Sequence, residues 1–433
     1  MPALAERVPR RRWRIAWLLA LGVLVNYFDR VNLSVSHGAL YTAFGISDVA
    51  FGYLSAAYNW SYALCQLPVG VVLDRFGVRR VQRAGIFIWS MASFAASITP
   101  TLPGFFAARL LLGVGEAPTF PANAKAIGAW FPARERTFST SLNDAAAKLA
   151  SAIGVPLLGL LLLRVGWRWS FAATGVISLL YLLVFRAVYR EPEEDPELSD
   201  AERQLIEERA KNEAPAAEGP ALSLGALLRQ PKIIGLSLGF GSYNYVFYLL
   251  LTWLPTYLSE ALHIDLMHSF LYTGVPWLFA TVTDLFLGGM LVDALVSRGW
   301  NASLVRRVVL VTGTACGLGI LGAAHAHSAA QALTWIGISI GGLSAAAPVG
   351  WSVPALITPR ASVGKVGGIV NFVCQVSGIT AQILTGYIVR ATHSYALAFG
   401  ISAAYLLLGI AGYVFLLGSI EPMKMKTAHF PAA

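Results

Sequence analysis

Asp29 and Arg30 stand side by side inside an apolar run that extends from Ile15 to about Val35. An ionisable residue at membrane depth costs at least about 2.5 to 3.5 kcal/mol on insertion scales, so a chain keeps one chiefly where it faces a polar interior. Asn26 and Arg30 are four residues apart and share a helix face, while Asp29 points about 100° away. A second set, Arg109, Gly113 and Glu116, is spaced i, i+4, i+7 along one stripe. Arginine stays charged and grips a carboxylate through two parallel hydrogen bonds, whereas a carboxylate short of water favours its protonated form. These types and spacings fit an anion clamp at Arg30 and proton carriers at Asp29 and Glu116. The alternative is a structural network in which the four charges neutralise one another, and for Arg109 that role and substrate contact both stand. Buried pairs contribute little net stability, which makes fold maintenance a weak reason to keep four such charges.

Asp144 and Lys148 lie one helical turn apart and read first as a self-neutralising pair. Lys148 is also a candidate second positive contact for a dicarboxylate. Asp284 stands nine residues before Asp293, hence about 13 Å deeper along a helix. It is placed to pair with Lys148 or with a charge in the second half of the chain, and Asp144 and Asp284 are candidates for additional titrating sites. Tyr58, Tyr62 and Gln66 repeat at helical spacing, as do Asn244 and Tyr248, while Trp351 and Asn371 fall in later apolar runs. Such groups supply hydroxyl and amide partners to a polar ligand, or else pack helices.

The elements that must hold these residues are membrane helices. Of 433 residues 56% are hydrophobic and only 13% charged, against roughly 25% charged in soluble domains, and the mean hydropathy is +0.61. About twelve runs reach the ~20 residues that span a hydrocarbon core: 15–36, 50–73, 82–100, 104–130, 138–163, 168–188, 233–258, 268–292, 306–325, 330–356, 364–390 and 395–418. Each is expected to be helical, because the bilayer satisfies no free backbone groups. The expectation is an all-α polytopic membrane protein, with an N-terminal segment 1–14, six helices in 15–189, a linker 190–231, six more in 232–418 and a tail 419–433.

The net charge of +9 is distributed by topology and does not point to nucleic acid. Arg7, Arg10, Arg11, Arg12, Arg14, Arg75, Arg79, Arg80, Arg83, Arg134, Arg136, Arg306 and Arg307 all fall on one side of the alternating spans, which places both termini in the cytoplasm by the positive-inside rule. The acidic linker run beginning at Glu191 reads as a solvated face. Cys65, Cys316 and Cys374 lie within spans without metal-like spacing and read as small buried side chains; His325 and His327 lack further ligands, so no metal is expected.

The two halves echo each other. Gly70-Val-Val-Leu-Asp74-Arg75-Phe-Gly77-Val-Arg79-Arg80 closes the second span, and Gly289-Met-Leu-Val-Asp293 with Arg298 and Gly299 closes the eighth. Duplicated halves of the same sense form a substrate site at the midplane between repeats. The Gly70–Arg80 loop reads as a cytoplasmic gate, with Asp74 pairing with basic residues across that face.

The Gly70–Arg80 segment resembles the signature loop of the major facilitator superfamily. The opening Asn26-Tyr27-Phe28-Asp29-Arg30-Val31-Asn32-Leu33-Ser34, the stretch from Arg109 through Gly113, Glu116, Pro118, Pro121 and Asn123 to Trp130-Phe-Pro132, Gly166-Trp167-Arg168-Trp169, and Asn244 through Tyr248 to Trp253, Pro255 and Tyr257 are similar to its anion:cation symporter family. The resemblance implies twelve helices in two pseudo-symmetric halves working by alternating access. It also implies import of an organic carboxylate with protons: an aldonate, hexuronate, aldarate or related dicarboxylate. Tyr27, Tyr62, Trp351 and Asn371 are the pocket residues it singles out, beside Arg30, Arg109, Lys148 and Asn244. No cofactor is expected beyond the proton as coupling ion. The expected partners are the organic anion and the lipid bilayer, for a monomer in the inner membrane. An exporter or facilitator of amphipathic compounds is the alternative. A polytopic membrane enzyme is more remote, because the long loop 190–231 carries no nucleophile, metal cluster or phosphate-binding pattern.

Overall fold

A computed structural model describes residues 10–131, 133–212 and 223–423; Arg7, residues 213–222 and the tail from 424 lie outside them. Among the described residues every regular element is helical, as a bilayer demands of a chain that must satisfy its own backbone. The spans are α1 (Arg11–Val35), α2 and α3 (the two arms of Asp48–Ile98), α4 (Leu102–Glu116, resumed as Thr119–Trp130), α5 (Ala133–Val165) and α6 (Trp167–Val188). After the linker come α7 (Pro231–Ala261), α8 (Leu266–Ser297), α9 (Ala302–Ala324), α10 (Ala329–Ile357), α11 (Arg360–Thr392) and α12 (Ala396–Leu417). Nine described helices are long and apolar enough to cross a bilayer; the arms of Asp48–Ile98 and the broken α4 complete the twelve.

Departures from regular helix fall where the sequence forces them. Gly77 separates α2 from α3 at φ 77°, a conformation that costs glycine nothing and any other residue strain. Pro118, without an amide hydrogen, breaks α4 just after Glu116. From Asp284 to Leu291, α8 widens into a π-helical stretch.

The start of α1, the linker and residues up to Met423 lie at one end of the molecule, the linker end, where the Met423 amide reaches the Ile357 carbonyl at the close of α10. At the opposite, far end the first six spans meet the last six. Ser34 donates to the Thr252 carbonyl, Asn59 to Gln382, and Gln382 in turn to the Thr252 hydroxyl at 3.0 Å. Towards the linker end Gly70 of α2 and Gly364, Gly367 and Gly368 of α11 face open space.

Two readings of the sequence are corrected here. The acidic linker is a solvated face only in part: Glu193, Glu194 and Glu197 are exposed, but two of its carboxylates are not. Asp195 and Glu202 are buried, Asp195 pairing with Arg11 at 2.9 Å and Glu202 with Arg12 at 2.8 Å. The Glu202 carboxylate also accepts the backbone amides of Arg11 and Arg12, capping the positive end of the α1 dipole. Nor are all three cysteines buried: Cys316 on α9 is exposed on the outer surface, where apolar exposure is what a lipid-facing helix shows.

Removing one partner of a buried pair costs about 3 to 5 kcal/mol, so Glu202→Ala is expected to lower the apparent unfolding temperature of the purified protein by about 5 °C or more. Asp200→Ala, at an exposed position of the linker helix Asp200–Asn212 that also carries Glu202, should leave it within about 1 °C; thermal unfolding of both variants in detergent checks this.

Candidate substrate and coupling site

Close packing of α4 assembles the site. Gly113 lies so near the Tyr58 carbonyl that an added Cβ would sit 2.3 Å from it, and Gly115 meets the Trp89 amide as tightly. Small residues let helices approach in this way, and here they press α4 against α2 on one side and α3 on the other. The next residue, Glu116, is thereby delivered to α1. Its Oε2 accepts from Arg30 Nε at 3.1 Å, while Arg30 Nη2 donates to Asn26 Oδ1 at 2.8 Å. The guanidinium stacks over Tyr27 at 4.2 Å and Tyr58 at 4.6 Å, with Tyr62 at 5.7 Å. Arg30 is 7% exposed and Glu116 is fully buried, yet Glu116 Oε1 has no hydrogen-bond partner among the described residues. A buried carboxylate satisfied at one oxygen is held less firmly than a bidentate pair.

Asp29 faces away from this pair, as its 100° offset requires. It accepts from Ser93 on α3 at 2.6 Å and from Ser178 on α6 at 3.3 Å. Arg109 reaches the Asp29 backbone carbonyl at 3.4 Å and keeps Nε without a partner among the described residues. Both guanidinium groups line a narrow cleft at the far-end side of Arg30, with a cavity volume of about 20 Å³. Its other polar walls are Ser34, Ser55 and Tyr58 from the first spans and Tyr248, Thr252 and Gln382 from α7 and α11.

The remaining sequence-derived residues fall elsewhere. Lys148 does not line the cleft; it is buried between Asp144 and Asp284, bonding them at 2.6 and 2.5 Å. Asn244 donates to the Cys374 carbonyl on α11. Trp351 packs edge-on against Phe240 with 41% of its surface exposed, and Asn371 is bonded only weakly, by Gln375 at 3.5 Å. In the gate loop Asp74 pairs with Lys125 of α4 and so stays within the first six spans, while Arg79 binds linker residues Glu191 and Glu194. Arg75 lies over Phe76 and Arg80 is exposed.

Comparison with known proteins settles the family, because the family model described as Major Facilitator Superfamily matches residues 19–381. The chain belongs to the major facilitator superfamily. It is 38% identical to YybO of Bacillus subtilis, named an uncharacterized transporter, over 97% of this chain and 98% of that one. It is 29% identical to GarP of Escherichia coli K12, named a probable galactarate/D-glucarate transporter, with 96% of each chain covered. A crystal structure of a D-xylose–proton symporter superposes with a TM-score of 0.74 at 17% identity, over 94% of this chain and 98% of that one, which shows the shared fold. As a superfamily member with these relatives, the protein is a multi-pass membrane transporter and not an enzyme.

Ser34, Ser55, Thr252 and Gln382 escaped the sequence reading. Gln382 carried a usable signal: Asn371, Gln375, Gly378 and Gln382 form one i, i+4, i+7, i+11 stripe of α11, and following it three turns beyond Asn371 leads to the cleft.

If Arg30 is the anion contact, Arg30→Ala loses two charge-assisted hydrogen bonds and weakens sugar-acid binding about a hundredfold or more. Arg30→Lys should recover little, since a point charge lacks the planar fork. Thermal-shift titrations with D-glucarate and D-galactonate measure both.

Proposed function

We propose that this transporter imports a sugar acid, an aldonate or aldarate, together with protons, by alternating access across the bacterial inner membrane. The observation that carries the reading is the Arg30 guanidinium. Held by Glu116 and Asn26 and stacked on two tyrosines, it lines with Arg109 a cleft whose other walls are hydroxyls, one amide and the side chains of Leu33 and Leu251. A carboxylate suits the arginines and the chain of hydroxyls beyond it suits Ser34, Ser55, Tyr248, Thr252 and Gln382. The names of the sugar-acid relatives support the same class. A purely apolar passenger would leave this polar lining unpaired, at a cost for each group.

Charge balance supplies the coupling. Arg30, Arg109, Asp29 and Glu116 sum to zero, and an incoming carboxylate adds one negative charge to a buried place. When the carboxylate takes Arg30 from Glu116, a proton on Glu116 restores neutrality, so anion and proton travel together. The basic residues gathered at the linker end orient it to the cytoplasm, with both termini. The closed far end then faces outward, and the open space beside Gly70, Gly364, Gly367 and Gly368 supports an inward-facing reading.

Glu116→Gln mimics the protonated carboxyl. In proteoliposomes it is expected to exchange sugar acid by counterflow yet fail to concentrate it on a pH gradient. Gradient-driven accumulation equal to that of the parent would place the proton elsewhere.

A further inference from the structure

Away from the cleft, one ammonium meets two carboxylates at the contact between α5 and α8. Lys148 and Asp284 are fully buried, Asp144 keeps 18% of its side chain exposed, and both acids bond Lys148 Nζ. Asp284 Oδ1 is buried without a hydrogen-bond partner among the described residues. The ionisable groups facing the triad from neighbouring helices are Tyr243 of α7 and Tyr27 of α1. Neither supplies a positive charge, so the triad with all three groups ionised carries a buried charge of −1. Such a charge is strongly disfavoured, and two carboxylates converging on one point are stable when they share a proton.

We propose that the Asp144–Lys148–Asp284 triad is a second proton-binding site, which carries one transported proton at the contact between α5 and α8 and raises the coupling to two protons per sugar acid. The proposal rests on the proton-coupled import argued above. Three features make the proton exchangeable. Asp144, at the edge, gives it a route to solvent. The site joins a helix of the first six spans to one of the last six, and the relative movement of these sets is what alternating access consists of. Asp284 also opens the π-helical stretch Asp284–Leu291, and such stretches concentrate at functional positions where a helix can change its winding. On closure the three groups share the proton. On separation of α5 from α8, Lys148 keeps its i, i+4 partner Asp144 as a neutral pair, and Asp284, now reached by water, ionises and releases the proton.

Tyr27 ties the triad to the cleft. Its ring lies under Arg30 at 4.2 Å, and its hydroxyl is within electrostatic reach of Asp144 and Lys148. An anion that shifts Arg30 therefore disturbs a side chain placed between the two centres.

The test is the ratio of proton to sugar-acid flux in proteoliposomes, read with an internal pH dye and radiolabelled D-glucarate or D-galactonate, in sodium-free medium at zero membrane potential. The expected ratio is two for the parent and one for Asp284→Asn and for Asp144→Asn, each of which removes the charge that calls for the second proton. A parent ratio of one overturns the triad proposal and leaves proton symport standing; a ratio of zero overturns the functional reading itself. A ratio of two that persists in the asparagine variants also overturns the triad. Should neither variant reconstitute, the parent ratio decides. A second charge that moves only when sodium is added means that the triad binds a metal cation and not a proton.

Discussion

The ion pair between Arg30 and Glu116 is the interaction on which the site depends. Both groups are buried where charge is expensive, and their bond is monodentate, through Arg30 Nε, with one Glu116 oxygen left over. Replacing such a pair with apolar side chains is often neutral or stabilising, so its presence argues for use more than for strength. A half-satisfied pair of this kind can be exchanged for another carboxylate at small net cost, which an arginine clamped by two bidentate partners could not do.

The surrounding architecture serves that exchange. Gly113 and Gly115 bring α4 close enough for Glu116 to reach α1, and Pro118 ends the helix immediately afterwards. Tyr27 and Tyr58 both pack on the guanidinium, while Glu116 and Asn26 hold its Nε and Nη2. Asp29 is kept apart by Ser93 and Ser178, so the two carboxylates do not compete for one cation. At the far end Gln382 bonds both Asn59 and Thr252, which makes a wall of the cleft part of the seal between the two sets of helices. Under the proposed function, a sugar acid that pairs with Gln382 would act directly on that seal.

The spans and the buried charges were legible in the sequence because the bilayer penalises alternatives: a twenty-residue apolar run has little choice but helix, and an arginine within it must face something polar. The face of each charge followed from helical spacing, so Arg30 with Asn26, and Asp29 apart, could be read directly. The proposed partnership of Lys148 with Asp284 was open among several, since nothing local relates residues 136 positions apart. Ser34, Ser55 and Thr252 were not legible, because a serine or threonine within a helix can equally bond its own backbone, and only the packing of α1, α2, α7 and α11 brings these to one cleft. The linker was misread in part, at Asp195 and Glu202, for the same reason. Glu191 to Glu202 looks solvated until the arginines at the start of α1 and in the gate loop are placed beside it.

The central claim is that the bound anion replaces Glu116 on Arg30 and that Glu116 is then neutralised by a proton. Calorimetric titration of the purified protein with D-glucarate and D-galactonate, repeated in two buffers of different ionisation enthalpy, counts protons taken up on binding. The account predicts proton uptake with each anion bound by the parent, and one proton fewer in Glu116→Gln. Binding heats that are the same in both buffers, with no proton taken up by the parent, would contradict it.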